Sequence, residues 1–203
     1  MAKNMILLEI VYELKEGKGL IKEYYENGKL IYEGEYLNGK RNGKGKEYDK
    51  YDGKLVFEGK YLNGKRNGKG KEYYGVGELK FEGEYLNGKR NGKGKEYFCG
   101  KLIFEGEYLY GYKLKGKYYL NGKLEYEGEY LHNKKPNGKG YDENGNIIYE
   151  LINGNGKVKE YWVNGKLELE GEYLNGKRNG KGKEYFCGKF IFEGEYVNGE
   201  KIY

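Results

Sequence analysis

The chain has 203 residues, of which 37 are glycine and 26 are tyrosine, and 34% of the residues are charged. Serine, threonine and glutamine are absent, which excludes a serine or threonine nucleophile, the Ser/Thr ending of a P-loop and N-glycosylation sequons. The net charge of +6 favours acidic partners only weakly, and lysine and glutamate alternating on a solvated sheet account for it better.

The N-terminal segment is predicted to begin the fold rather than to target the protein. Residues 1–14 hold a short apolar run that is interrupted by Glu9, so they predict neither a signal peptide nor a membrane span. We expect an opening strand that covers the first edge of a sheet. Because Gly17–Tyr24 resembles the second half of the unit described next, residues 1–27 are predicted to be a capping strand and a half repeat.

The rest of the chain repeats one phrase. Glu-Gly-Glu-Tyr-Leu-Asn-Gly-Lys-Arg-Asn-Gly-Lys-Gly-Lys-Glu-Tyr runs from Glu33 to Tyr48 and returns with at most one change from Glu58, Glu82 and Glu170. The residues that precede the copies, and Tyr149 of a degenerate unit, are 20 to 25 positions apart. A period near 23 residues predicts a repeat array, so residues 28–203 are interpreted as one continuous domain.

Each unit predicts a β-hairpin. Residues 30–37 alternate between two faces, which is typical of a half-buried strand. Residues 38–43 are rich in asparagine and glycine and predict a turn, and residues 44–48 predict the returning strand. In the proposed register Leu37 faces Lys44 and Gly34 faces Glu47, which places tyrosine over glycine and glutamate opposite lysine. Between Leu109 and Tyr161 the repeated phrase becomes irregular. Either surplus repeats have drifted in sequence, or this segment is a patch that is specific for a partner.

The repeated phrase resembles the MORN (membrane occupation and recognition nexus) repeat. The pattern aromatic-Glu-Gly-x-aromatic-x-x-Gly-x-x-x-Gly-x-Gly occurs first from Tyr32 to Gly45 and again from Phe57 and Phe81. One departure is that Glu47 stands where the family usually has an aromatic residue, with Tyr48 one position later, so a bulge or a variant unit is expected. The resemblance implies an all-β fold, an elongated single-layer antiparallel β-meander of about eight stacked hairpin repeats, that acts as a non-enzymatic scaffold or adaptor.

The first functional hypothesis is an aromatic groove. A single-layer sheet is not expected to bury all of its rings on itself, so the rings predict a site for a protein partner, such as a peptide or an amphipathic helix. Self-packing of the rings, or a homodimer through the groove or the open sheet edges, is left open. The predicted groove residues are Tyr36, Phe57, Tyr61, Phe81, Tyr85, Phe104, Tyr108, Tyr130, Tyr173 and Phe192.

The alternative hypothesis is a row of basic turns that binds an anionic lipid surface; nucleic acid is a weaker expectation. Charged turns that keep a thin sheet soluble are the competing interpretation. The predicted anion-binding residues are Lys40, Arg41, Lys65, Arg66, Lys89, Arg90, Lys177 and Arg178.

No catalytic, metal-binding or cofactor-binding residues are assigned. Cys99 and Cys187 lie in identical phrases four units apart, which is too far for a disulfide within one chain, and His132 is the only histidine. Unpaired thiols favour a reducing compartment. The expected location is therefore the cytoplasm, with membrane or cytoskeletal association left open, rather than secretion.

Overall fold

The computed structural model describes residues 17–132, 134–162 and 164–202. The described residues contain β-strands and no helix, and consecutive strands form antiparallel hairpins. This confirms the predicted fold class. Two compact units divide the chain between Gly100 and Lys101. The predicted opening strand over residues 1–14 lies outside the described residues.

In the first unit, seven strands pair in chain order through six antiparallel ladders. The first of these ladders pairs Lys18–Tyr24 with the strand that follows it. The strands are β1 Lys18–Tyr24, β2 Leu30–Leu37, β3 Lys40–Tyr48, β4 Leu55–Leu62, β5 Lys65–Tyr73, β6 Leu79–Leu86 and β7 Lys89–Phe98.

The second unit holds two runs of paired strands. The first run is β8 Lys101–Leu109, β9 Tyr112–Leu120, β10 Lys123–Glu129, β11 Gly138–Tyr141 and β12 Ile147–Leu151. The second is a five-stranded sheet of β13 Gly156–Tyr161, β14 Leu167–Leu174, β15 Lys177–Phe186, β16 Lys189–Val197 and β17 Glu200–Ile202. The short strands β11 and β12 fall in the segment where the repeated phrase decays.

The hairpin turn of the repeat is shorter than the sequence predicts. Asn38 and Gly39 both have positive φ, 50° and 73°, and Leu37 pairs directly with Lys40. This is the two-residue turn that matches the right-handed twist of the flanking strands. The predicted six-residue turn and the Leu37–Lys44 register are therefore wrong. Glutamate still faces lysine, because the ladder shifts between Gly34 and Tyr36 and places Glu33 opposite Lys46.

The displaced tyrosine of the repeat is explained by a second shift of register. Glu47 pairs with Phe57, whereas Tyr48 pairs with Leu55, so Val56 is an extra residue in β4. Glu47 therefore lies on the face that carries Phe57, which we call the ring face. Tyr48 lies on the opposite face and its hydroxyl donates to Glu33 Oε1 at 2.7 Å. A bulge is therefore present, but it lies in β4 and not in the strand that carries Tyr48, so Glu47 keeps the ring-face position.

Candidate functional site

Most of the predicted groove residues pack edge-to-face against neighbouring rings, and within each unit these contacts form a ring ladder. Phe57 has 0% of its surface exposed, and its ring packs edge-to-face against Tyr61 at 5.7 Å and Tyr85 at 5.2 Å between centroids. Edge-to-face pairs of this kind each add about 0.5–1.5 kcal/mol to stability beyond area burial. Six of the ten predicted residues are buried, namely Phe57, Tyr61, Phe81, Tyr85, Phe104 and Tyr108. Four are half-buried, namely Tyr36, Tyr130, Tyr173 and Phe192.

A pair of glycines forms the floor beneath each ring in the regular repeats. Gly59 and Gly70 pair directly across β4 and β5. A Cβ atom added to Gly70 would lie 2.5 Å from Cζ of Phe57, and one added to Gly59 would lie 2.7 Å from the same atom. Real Cβ atoms do not approach so closely, so only glycine lets the ring lie flat on the sheet backbone.

A cation covers the other side of each ring. The Cζ atoms of Arg41, Arg66 and Arg90 lie 4.0 Å from the ring centroids of Tyr32, Phe57 and Phe81, respectively. A guanidinium at this distance is attracted by the ring quadrupole by about 0.5–2 kcal/mol and excludes water from the ring. In the second unit Lys113 and Lys201 take the same place over Phe104 and Phe192. The sheet therefore covers six of the ten predicted rings by itself, and the expectation that it cannot bury all of them applies to the other four.

The arginines of this cover are joined to glutamates in a continuous row. Arg90 lies 2.6 Å from Glu72 and 2.8 Å from Glu96, and Arg66 also bonds both Glu72 and Glu47. Charge-assisted bonds on both sides hold each guanidinium over its ring. We call the stacked glycine pair, ring and paired guanidinium the three-part stack.

The stack changes the proton affinity of its members. Burial raises the pKa of Glu72, but the hydrogen bond and positive charge of Arg90 and the hydrogen bond from Tyr85 outweigh it, so the pKa lies below its usual value. Burial and then Glu72 raise the pKa of Tyr85. Glu125 differs, because its burial dominates and raises the pKa despite Lys135, which lies 3.4 Å away.

The predicted row of basic turns is split by the fold. Lys40, Lys65, Lys89 and Lys177 are exposed at strand starts. Their arginine neighbours lie in strands rather than in turns, and each contacts glutamate: Arg41, Arg66, Arg90 and Arg178. The interpretation of the arginines as free turn cations is therefore wrong, because the two-residue turn moves them onto the ring face.

An exposed cleft that the sequence analysis did not identify lies in the second unit. Trp162, Asn164, Phe186 and Cys187 line a cavity of about 390 Å³, which we call the Trp162 cleft. The two rings meet edge-to-face at 6.4 Å and 90°, and Trp162 Nε1 donates to the carbonyl oxygen of Tyr185 at 3.3 Å. These contacts fix the indole while leaving 39% of Trp162 and 60% of Phe186 exposed.

Two further apolar side chains of β16 are exposed. Phe190 and Ile191 are both more than half exposed, and the Phe190 ring lies 6.0 Å from that of Tyr185. Phe190 pairs in register with Tyr185 and not with Phe186, so neither side chain is part of the cleft lining. The signal in the sequence was the spacing of 24 residues between Trp162 and Phe186, which is one repeat and brings both side chains to the same end of adjacent hairpins.

The first unit contains a related ring pair. Tyr74 and Phe98 also lie 6.4 Å apart, and the Tyr74 hydroxyl donates to the carbonyl oxygen of Tyr97 at 3.1 Å. Cys99 follows Phe98 just as Cys187 follows Phe186, and both thiols are exposed and unpaired, as predicted. The repeat therefore presents the same ring geometry in each unit.

Repeating hairpins with one stack per repeat define a tandem β-hairpin repeat protein. The chain matches the sequence profile of the MORN repeat over residues 32–50, 57–78, 81–101 and 170–188, and it is a MORN repeat protein. MORN repeats are a non-enzymatic repeat type that commonly mediates protein or membrane interactions. No curated protein matches the chain.

Residues 17–132, 134–162 and 164–202 contain neither a cluster of metal ligands nor a membrane-spanning helix. No group of three or more histidine, cysteine, aspartate or glutamate side chains is placed to hold a metal ion. No helix in this part of the chain is long and apolar enough to span a membrane.

Proposed function

We propose that the chain is a non-enzymatic scaffold that binds a segment of a protein partner at the Trp162 cleft. The observation that carries this proposal is an apolar cleft of about 390 Å³ with two exposed aromatic walls, Trp162 and Phe186. Clefts of 300–1,000 Å³ lined mainly by apolar side chains are typical ligand sites. The interaction role common among MORN repeats supports the same conclusion.

The ring ladder is less suited to this role. A partner that contacted Phe57 or Phe81 would have to displace a guanidinium that lies 4.0 Å above the ring and is paired with glutamate. Removing those contacts exposes a ring and leaves a part-buried carboxylate without its partner, which costs more than binding to a surface that is already open. Binding along the ladder therefore stays a prediction that requires this rearrangement.

The two native cysteines provide a test that is specific to position. A photo-crosslinker is attached at Cys187 in a Cys99→Asn background, and at Cys99 in a Cys187→Asn background, and each protein is illuminated in native lysate. We expect a discrete crosslinked partner from Cys187, because this thiol lines the cleft. The crosslink is expected to disappear in Phe186→Ala and to persist in the matched variant Phe98→Ala. A crosslink that is indifferent to Phe186→Ala would overturn the proposal.

An anionic membrane surface is the competing candidate, since Lys40, Lys65 and Lys89 are exposed at successive turns. The four arginines, which are half of the predicted basic residues, form ion pairs with glutamate, and this weakens the alternative. Co-sedimentation with phosphatidylserine vesicles that is lost on replacement of these three lysines by glutamine, but retained in Phe186→Ala, would favour the membrane over a protein partner.

A further inference from the structure

The Trp162 cleft has a basic rim. Lys166 extends along the turn after β13, and its Nζ donates to the carbonyl oxygen of Cys187 at 3.2 Å. Lys189 begins β16 and pairs in register with Phe186. Both lysines are exposed. Two cations therefore lie next to residues that line a cavity with no charged side chain in its own lining.

The acidic side chains closest in sequence do not pair with Lys166 or Lys189. Neither turn that forms the cleft, residues 162–166 and 186–189, contains an aspartate or a glutamate. Glu184, two residues before Phe186, is bonded to Arg178 at 3.2 Å and to Lys201 at 2.8 Å. Glu168 interacts with Glu160, Arg178 and Glu184 on the ring face. The two lysines are thus available to a ligand.

We infer that the partner segment carries carboxylates beside the apolar side chain that enters the Trp162 cleft; this inference rests on the proposed function. The rings of Trp162 and Phe186 already touch each other, so an aromatic or branched anchor packs on their exposed surfaces. The flanking carboxylates then reach Lys166 and Lys189. Complementary charge at the rim adds selectivity and association rate.

The ring pair of the first unit is an internal control for this assignment. Tyr74 and Phe98 reproduce the ring separation of Trp162 and Phe186. The turn after Tyr74, however, has Glu78 at the position that corresponds to Lys166. Glu78 weakens the attraction of a carboxylate-bearing segment to this place in the first unit, although Lys80 Nζ lies 5.4 Å from the Tyr74 ring centroid.

Trp162 is the only tryptophan of the chain, so its fluorescence reports on this cleft alone. The full chain is titrated with the blocked peptide Gly-Asp-Phe-Asp-Gly and with the neutral peptide Gly-Asn-Phe-Asn-Gly. At low salt we expect the acidic peptide to bind about tenfold more tightly, a difference of ~1.4 kcal/mol, and the difference to shrink at high salt. Lys166→Gln should remove the preference, Lys166→Arg should retain it, and Lys65→Gln should leave it unchanged.

Different results overturn the inference and the proposed function. Equal affinity for both peptides overturns the inference and leaves the apolar cleft of the proposed function intact. Loss of both peptides in Phe186→Ala supports the cleft as the site. If neither peptide alters Trp162 fluorescence while phosphatidylserine vesicles shift it, both the inference and the proposed function are wrong and the cleft contacts membrane.

Discussion

The hydroxyl of Tyr32 offers a direct measurement of what the three-part stack tolerates. Tyr32 is fully buried, and its hydroxyl has no hydrogen-bond partner. A Cβ atom added to Gly34 would lie 2.5 Å from this oxygen, so the hydroxyl sits over the glycine floor. A buried hydroxyl without a partner costs about 1–3 kcal/mol. The corresponding residue of the next two repeats is phenylalanine, Phe57 and Phe81.

Tyr32→Phe is therefore expected to raise the free energy of unfolding by about 1 kcal/mol, since the gain from removing the orphaned hydroxyl exceeds the lost contacts of one oxygen. The reciprocal change, Phe57→Tyr, is expected to lower it by a similar amount. Tyr126 is the opposite case, because its hydroxyl donates to the carbonyl oxygen of Asn137 at 2.9 Å. Tyr126→Phe should lower stability by about 1 kcal/mol through loss of that bond.

Urea unfolding at 25 °C, followed by circular dichroism, measures these differences as shifts of the midpoint at constant slope. Tyr32→Phe and Phe57→Tyr alter the same position of two successive repeats in opposite directions. A general effect of mutating the ring ladder would therefore not produce shifts of opposite sign. A decrease in midpoint for Tyr32→Phe equal to that for Tyr126→Phe would refute the reasoning, because it would mean that the Tyr32 hydroxyl is satisfied.

Four further predictions concern the floor, the cover, the buried carboxylate of Glu125 and the turns. Gly70→Ala is expected to lower stability by about 2–4 kcal/mol, because its Cβ meets the Phe57 ring, whereas Gly75→Ala, which meets no atom within 4 Å, should be neutral in the same unfolding assay. Glu72→Gln should destabilise the protein at pH 7; because the folded pKa is lowered, the difference should vanish as pH falls through that pKa. Glu125 has a raised pKa and its contribution is lost as pH rises through it, so Glu125→Gln should stabilise at pH 7 and be silent near pH 4 in thermal melts. Cys187→Asn should add about 0.5–1 kcal/mol, since asparagine tolerates the φ of 52° better than cysteine does; an unchanged melting temperature would contradict this.

The sequence predicts the repeat and its hairpins because period and alternation are local properties. It does not predict the register, because Asn38-Gly39 and Asn42-Gly43 are equally good turn signals by composition. Choosing the first of them decides that Arg41 lies in a strand instead of a turn. That single choice converts the arginine from a solvent-exposed cation into the cover of a ring.

The site is less accessible to sequence reasoning for the same physical reason. Whether Phe57 is exposed depends on Arg66 lying above it, and neither periodicity nor composition specifies that contact. The Trp162 cleft depends on Trp162 and Phe186 meeting across two hairpins. Their spacing of one repeat is compatible with such a contact, but spacing alone does not specify that the two rings touch.

The three-part stack around Phe57 is assembled entirely from neighbours. The glycines, the guanidinium of Arg66 and the flanking rings of Tyr61 and Tyr85 all come from β4, β5 and β6. No distant part of the chain has to be redesigned when such a repeat is gained or lost. Duplication or deletion of whole units can thus alter the reach of the protein during evolution, while the apolar interior of every remaining hairpin stays as it was.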